Sequence, residues 1–173
     1  TSRLVGSEMC IRDSFNADDF STPQKKLPDA QRVLVSISKI GIVRTLEKIN
    51  GRFCLSVFDT KTNILCLARD RFGLSTLFYT CFDGLIAFSS RAKGLLALPG
   101  VSNELDNSFL KAAAATNYRF LDTNNTVSPF RNIKQVPPGA IVRFDDKKVQ
   151  TERFASLTVD GIKRSNKPTR EEY

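Results

Sequence analysis

The stretch that most constrains the fold is Gly51–Ser90, where four short apolar runs are separated by turn residues. Arg52–Asp59 places Phe53, Leu55 and Val57 on one face and Cys54, Ser56 and Phe58 on the other, and Ile64–Arg69 sets Leu65 and Leu67 against Ile64, Cys66 and Ala68. Strand residues alternate between faces, so a half-exposed strand carries a polar group at every second position. These runs do not. A sheet built from them must be covered on both sides and is predicted to be an inner layer. Thr60-Lys61-Thr62-Asn63 joins the first two runs, and Asp83-Gly84 joins Leu77–Phe82 to Leu85–Ser90. Asp and Gly both tolerate the positive φ of a tight hairpin, so neighbouring runs are expected to be antiparallel, in meander order.

The flanks read as helix and loop. Phe15–Leu27 is polar and turn-rich, a loop. From Asp29 to about Asn50, Val33, Leu34, Ile37, Ile40, Val43 and Leu46 recur at threes and fours, which predicts one helix with Gly41 as its weak point and Asp29, after Pro28, as its N-cap. Arg91 to about Leu98 predicts a short helix stopped by Pro99-Gly100, and Asp106 to about Thr116 a second one capped by Asp106. Tyr118–Gln135 is irregular, and Ala140–Phe144 with Val149–Phe154 reads as a hairpin. Beyond Ser156 the chain turns polar and basic, and Thr169 with Glu172 resembles the start of a further helix.

Composition excludes several function classes. The net charge of +8 invites a nucleic-acid reading, but Lys and Arg are scattered and aromatics are not interleaved with them, so it reads as solvated surface. No apolar run reaches the ~18 residues of a membrane span, and the chain is expected to work in the cytoplasm. The four cysteines lack CxxC spacing, and with no histidine in the chain neither a mixed Cys/His metal site nor a Ser/His or Cys/His nucleophile pair can form. Cys54, Cys66 and Cys81 fall inside strand runs and are expected to be buried small hydrophobes. Ala68-Arg69-Asp70-Arg71 places three charges at the end of a buried strand. It is expected to be structural, with Asp70 pairing an arginine or capping backbone donors while Gly73 reverses the chain.

An ordered set of motifs goes further. Asn50-Gly51-Arg52-Phe53, Phe58-Asp59, Ala68-Arg69-Asp70-Arg71-Phe72-Gly73, Leu77-Phe78-Tyr79, Phe88-Ser89-Ser90, Lys93 to Val101, Leu105-Asp106, Phe130-Arg131-Asn132-Ile133 and Val136-Pro137-Pro138-Gly139 occur in that order. Together they resemble the glutamine amidotransferase (glutaminase) domain of the asparagine synthase family, over roughly Asp29–Phe154. The resemblance implies an α+β fold, part of an N-terminal-nucleophile hydrolase sandwich with layers α/β/β/α and antiparallel sheets. It also implies that an aspartate at the start of the helix, here Asp29, binds the α-amino group of glutamine. Leu27-Pro28 replaces the small residues that precede it in the family, and Arg91 stands where the family usually has an acidic residue.

Residues 3–14 resemble the translated end of a transposon adapter used in sequencing libraries and are set aside from fold reasoning. Met9-Cys10 imitates the family's start, in which a cysteine directly after the initiator methionine is the nucleophile. Cys10 is not expected to be one, because the charged pair Arg12-Asp13 follows where the family has an apolar strand. No catalytic residue is assigned. The chain accordingly divides into an adapter-like 1–14, a partial glutaminase domain 15–155 with its first strands missing, and 156–173 as a linker and the start of a synthetase domain. Missing strands would leave open sheet edges.

For a full-length parent, the resemblance implies glutamine hydrolysis by a terminal cysteine whose own α-amino group is the base. The ammonia would serve ATP-dependent amidation of aspartate in a synthetase domain in cis, which would hold ATP and Mg. No cofactor or metal is expected in 1–173, and nucleic acid and membrane are not expected partners. A homodimer of the parent is compatible with the family. Two rivals stand beside this reading: a ring-closing relative (lactam or lasso-peptide cyclase) with a degenerate glutaminase domain, and a non-enzymatic binding module.

Overall fold

The computed structural model describes residues 28–115, 126–145 and 148–155, together with the backbone of Met9–Ser14. Among the described residues eight strands and four helices run in the order β1 (Met9–Ser14), α1 (Asp29–Ile40), α2 (Ile42–Lys48), β2 (Gly51–Asp59), β3 (Ile64–Arg69), β4 (Phe78–Phe82), β5 (Leu85–Ser89), α3 (Ala92–Leu95), α4 (Asn107–Ala115), β6 (Lys134–Gln135), β7 (Ala140–Asp145) and β8 (Lys148–Arg153). The loop and tail readings for 15–27, 116–125 and 156–173 lie outside the described residues.

Two antiparallel sheets form. The larger has the order β1-β2-β3-β7-β8 and the smaller β5-β4-β6. The predicted strands and both hairpins are present, and the turn at Asp83 (φ 46°) and Gly84 (φ 74°) has the paired positive φ angles its sequence requires. The meander order is not what forms. β2 and β3 make one hairpin and β4 and β5 another, in different sheets, and the far edge of β3 is taken by β7, with Leu65 opposite Phe144 and Ala68 opposite Ile141. The reason lies in the two apolar faces of β2 and β3. A sheet covered on both sides needs a second layer, and the chain supplies it by leaving the first sheet at Asp70 and laying the β4–β5 hairpin over it. Met9–Ser14, set aside from the fold in the sequence reading, lies along β2 from Met9 opposite Leu55 to Ser14 opposite Gly51, so that edge of β2 is paired.

The two faces carry two cores. Phe53, Leu55, Cys66, Ala68 and Ile141 pack beneath Val33 of α1, Leu46 of α2 and Ile49. On the other face Cys54, Leu67, Val142 and Phe144 meet Leu77, just ahead of β4, and Tyr79 of the second sheet, with Val136. The alternation read from β2 and β3 is therefore the alternation observed. α3 rests against β4 and β5, completing the layer order α/β/β/α. Among the described residues no helix is long and apolar enough to cross a membrane.

The predicted single helix is two. Gly41, at φ 85° and ψ 162°, ends α1 and begins α2, and the Thr45 hydroxyl donates to the Gly41 carbonyl at 2.7 Å. That backbone conformation is open to glycine and breaks the helical ladder, so the apolar periodicity continues across the break while the hydrogen bonds do not. Asp29 is not the N-cap either. Pro28 occupies that position at φ −55° and ψ 148°, its carbonyl accepting from the Gln31 and Arg32 amides at 2.9 and 3.1 Å, and Asp29 is the first helical residue. Proline's fixed φ suits the extended cap position and sets the helix start at the residue after it. The Asp106 cap is present, its Oδ1 accepting from the Phe109 amide at 2.8 Å.

Candidate functional site

Asp29 stands half-buried in the first turn of α1, and α1 contacts β1 as well as α2. A carboxylate there lies at the positive end of the helix dipole, where negative charge is stabilised by typically ~0.3–1 kcal/mol. The helix covers the Phe53–Leu55 face of the first sheet, whereas the Cys54 side chain faces the second sheet, where with Ser56, Leu77, Phe88, Ser89 and Ser90 it lines a cleft of about 220 Å³. Asp29 and that cleft thus belong to opposite faces of the sheet.

The described thiols are not built as nucleophiles. Cys54 and Cys66 are buried, as expected from sequence. Burial pushes the Cys66 thiol up, against the opposing pull of the Arg143 guanidinium, whose Nη1 is 3.9 Å from Sγ. Cys81 departs from expectation by being exposed. It points the same way as Tyr79 but two residues nearer the Asp83-Gly84 turn, where it lines an open groove with Phe144 and Val149 instead of meeting a packed face. Desolvation still raises its thiol, with Lys134 opposing. A nucleophilic cysteine needs the reverse, a lowered pKa. Brief alkylation with iodoacetamide followed by peptide mapping is expected to label Cys81 well ahead of Cys54 and Cys66, with the buried pair reacting on unfolding. Equal labelling of all three in the native protein would contradict these burials.

The charged corner after β3 is structural, as the sequence suggests. Asp70 is fully buried, and its carboxylate accepts from the amides of Phe72, Leu74 and Ser75 at 3.1, 3.0 and 2.9 Å. The Arg69 guanidinium donates to the Val136 and Gly73 carbonyls at 3.1 and 2.6 Å and also to the Ser75 carbonyl. Burial pulls the Arg69 pKa down from its ordinary value, and the Asp70 carboxylate opposes that shift. Arg71 reaches back to the Glu47 carbonyl at the end of α2. Every charge in this corner holds backbone. Sequence reasoning did not single out a further constellation, Tyr79 with Asn132 and Lys134. These residues meet only through the β4–β6 pairing, which a two-residue strand in an irregular segment does not announce.

Among the described residues no group of three or more His, Cys, Asp or Glu side chains could hold a metal ion. Comparison with known proteins places this architecture. The profile of the glutamine amidotransferase domain family matches residues 11–155. Asparagine synthetase [glutamine-hydrolyzing] 3 of Bacillus subtilis is 31% identical over 101 residues, which is 57% of this chain and 16% of the relative. The asparagine synthetase [glutamine-hydrolyzing] of Pongo abelii is 37% identical over 71 residues, 40% of this chain and 13% of the relative. The chain thus spans between 13% and 16% of the length of these curated relatives. Among solved structures, the glutamine phosphoribosylpyrophosphate amidotransferase from B. subtilis superposes with a TM-score of 0.54 at 14% identity, covering 82% of this chain and 26% of that one. The allosteric regulatory enzyme of purine biosynthesis gives 0.54 at 13% identity, covering 87% and 28%. Both likenesses speak to the fold, an N-terminal-nucleophile hydrolase sandwich. With asparagine synthetases among its sequence relatives and a family match that spans both sheets, the chain belongs to the glutamine amidotransferase domain family.

Proposed function

We propose that this chain is the glutaminase side of a glutamine-dependent, asparagine synthase-like amidotransferase. The observation that carries the reading is the family match across 11–155, which coincides with the layered pair of antiparallel sheets. In the parent, the thiolate of a terminal cysteine adds to the side-chain carbonyl of glutamine, and its α-amino group takes the thiol proton and returns it to the leaving nitrogen. The C–N bond then breaks to release ammonia, and water cleaves the thioester to glutamate. Asp29 receives the substrate's α-ammonium at the start of α1. Its half-buried position in the first turn of α1, at the positive end of the helix dipole, supports this. ATP and magnesium serve a synthetase domain in cis that amidates aspartate, and the 1–173 stretch carries no cofactor of its own. The setting is the cytoplasm, a compartment in which unpaired thiols such as those of Cys54, Cys66 and Cys81 persist.

The test begins with a long read of the source DNA across both ends of this segment and expression of the uninterrupted coding sequence. Asp29→Ala is expected to lower kcat/KM for glutamine by about 100-fold, the scale of losing one charged partner of a buried pair, while asparagine formation from free ammonium is unchanged. Equal loss with both nitrogen sources would remove Asp29 from the glutamine site. ATP-dependent lactam formation without aspartate amidation would instead assign the parent to the ring-closing relatives. The 1–173 chain by itself is expected to release no ammonia from glutamine above a Cys10→Ala control, because the charged Arg12-Asp13 follows Cys10 where the family has an apolar strand.

A further inference from the structure

Tyr79 is 9% exposed and its ring stands edge-on to Phe144 at a centroid distance of 5.1 Å. A phenol at that depth ordinarily has a hydrogen-bond partner. No described group bonds to the Tyr79 hydroxyl, yet it is not sealed away. The residue lines two adjoining clefts, of about 330 and 310 Å³, at the mouth between the sheets. Both clefts also contain Arg131 and Lys134. Lys134 is the cross-strand neighbour of Tyr79 in the β4–β6 ladder, so the two side chains leave the sheet on the same side. The Lys134 ammonium has no ion-pair partner among the described residues.

The loop that carries these groups is held in place. Ser128 Oγ donates toward the Ile133 and Phe130 carbonyls at 2.6 and 3.0 Å and accepts from the Phe130 amide at 3.1 Å, and the Thr80 hydroxyl donates to the Asn132 carbonyl at 2.8 Å. Arg131 spends one Nη on Glu104 Oε1 at 2.6 Å, which leaves the rest of its donor fork. Asp106 lines the far rim of one cleft, with Oδ1 engaged in capping α4. Burial pushes the Tyr79 phenol up, so it remains a donor at neutral pH. On the shared wall, then, stand a phenolic O–H, an ammonium and guanidinium N–H groups, with Asn132 lining one of the two clefts, a set dominated by donors and positive charge.

We infer that this inter-sheet mouth, at Tyr79, Asn132 and Lys134, binds a small oxyanion, the carboxylate or phosphate of a metabolite. The site is separate from Asp29, which lies in the helical layer on the other side of the first sheet, and it does not depend on the glutaminase reading. Charge-assisted hydrogen bonds from the Lys134 ammonium, beside a phenol held by its ring packing on Phe144, favour an acceptor-only ligand.

The test is an NMR titration of the full 173-residue chain with inorganic phosphate and, separately, with succinate, at chloride-matched ionic strength. Saturable shifts at Tyr79, Asn132 and Lys134 are expected with at least one of the two, and whichever binds tighter identifies the ligand as phosphate or carboxylate. Tyr79→Phe keeps the ring packing and removes only the hydroxyl, and Lys134→Gln removes the charge. Each is expected to weaken binding about tenfold, the scale of one hydrogen bond to a charged group. Lys148→Gln, an equal charge change on the neighbouring β8, is expected to alter affinity less than about twofold, as for a surface charge acting through solvent. No saturable shift with either anion, or equal losses for Lys134→Gln and Lys148→Gln, would overturn the inference.

Discussion

Asp70→Ala is expected to cost about 3–5 kcal/mol of folding stability, the range for removing one partner from a buried charged network. The carboxylate is fully buried and is the acceptor for the amides of Phe72, Leu74 and Ser75, so its loss strands three backbone donors where water does not reach easily. It also leaves the buried Arg69 guanidinium without the negative charge that offsets its desolvation. The damage extends beyond the corner. Arg69 ties the Gly73–Ser75 turn to the Val136 carbonyl, and the Asp70 carbonyl accepts from the Gly139 amide at 2.9 Å, so one residue joins the exit of β3 to the entry of β7. Asp70→Asn keeps the shape and one acceptor oxygen, and is expected to cost less, about 1–3 kcal/mol. Urea denaturation followed by far-UV circular dichroism measures both. A loss below about 1 kcal/mol for the alanine variant would show that the corner does not brace the fold.

Gly139→Ala should be comparably severe, at about 3–5 kcal/mol, from backbone strain and overpacking together. Gly139 has φ 63°, and a Cβ added there would lie 2.7 Å from the Ala155 carbonyl oxygen. That oxygen is backbone and cannot swing away as a side chain could. The same carbonyl-rich crossing holds the end of the hairpin, since the Gly139 carbonyl accepts from the amides of Phe154 and Ala155 at 2.9 and 3.2 Å. Gly84 separates the two causes. Its φ is 74°, but a Cβ would meet nothing within 4 Å, so Gly84→Ala carries the conformational cost alone, about 1–2 kcal/mol. If the two variants melt alike, the close approach to Ala155 contributes nothing.

Much of the architecture was legible before any coordinates. The alternation in β2 and β3 named the right residues for each face, because side-chain direction in a strand follows from backbone geometry alone. Asp83-Gly84 and Asp106 did the same for a turn and a helix start, since their backbone and side-chain preferences act within a few residues. The misses share a cause. The meander order failed because the partner of β3 is β7, far along the chain, and alternation says which residues point together without saying which strand lies alongside. Cys81 was placed in a buried strand correctly but at a level where the opposing sheet no longer covers it. The helix break at Gly41 turned on a single φ that the apolar periodicity spans without a mark.

For the candidate sites the division is similar. Residue types and their order along the chain were enough to reach the glutamine amidotransferase family and to exclude histidine-based chemistry within it, because both are properties of the linear sequence, whereas the role of Asp29 was implied only by the family resemblance. The chain alone could suggest Asp70 as a cap for nearby backbone donors, but not that Arg69 reaches the Val136 carbonyl, nor that Tyr79 stands beside Lys134. Those relations join residues widely separated in sequence, and they exist only once two sheets close over a common core. Burial then decides what each polar group can do, since a hydroxyl or guanidinium removed from water must find a partner in whatever the fold has brought next to it.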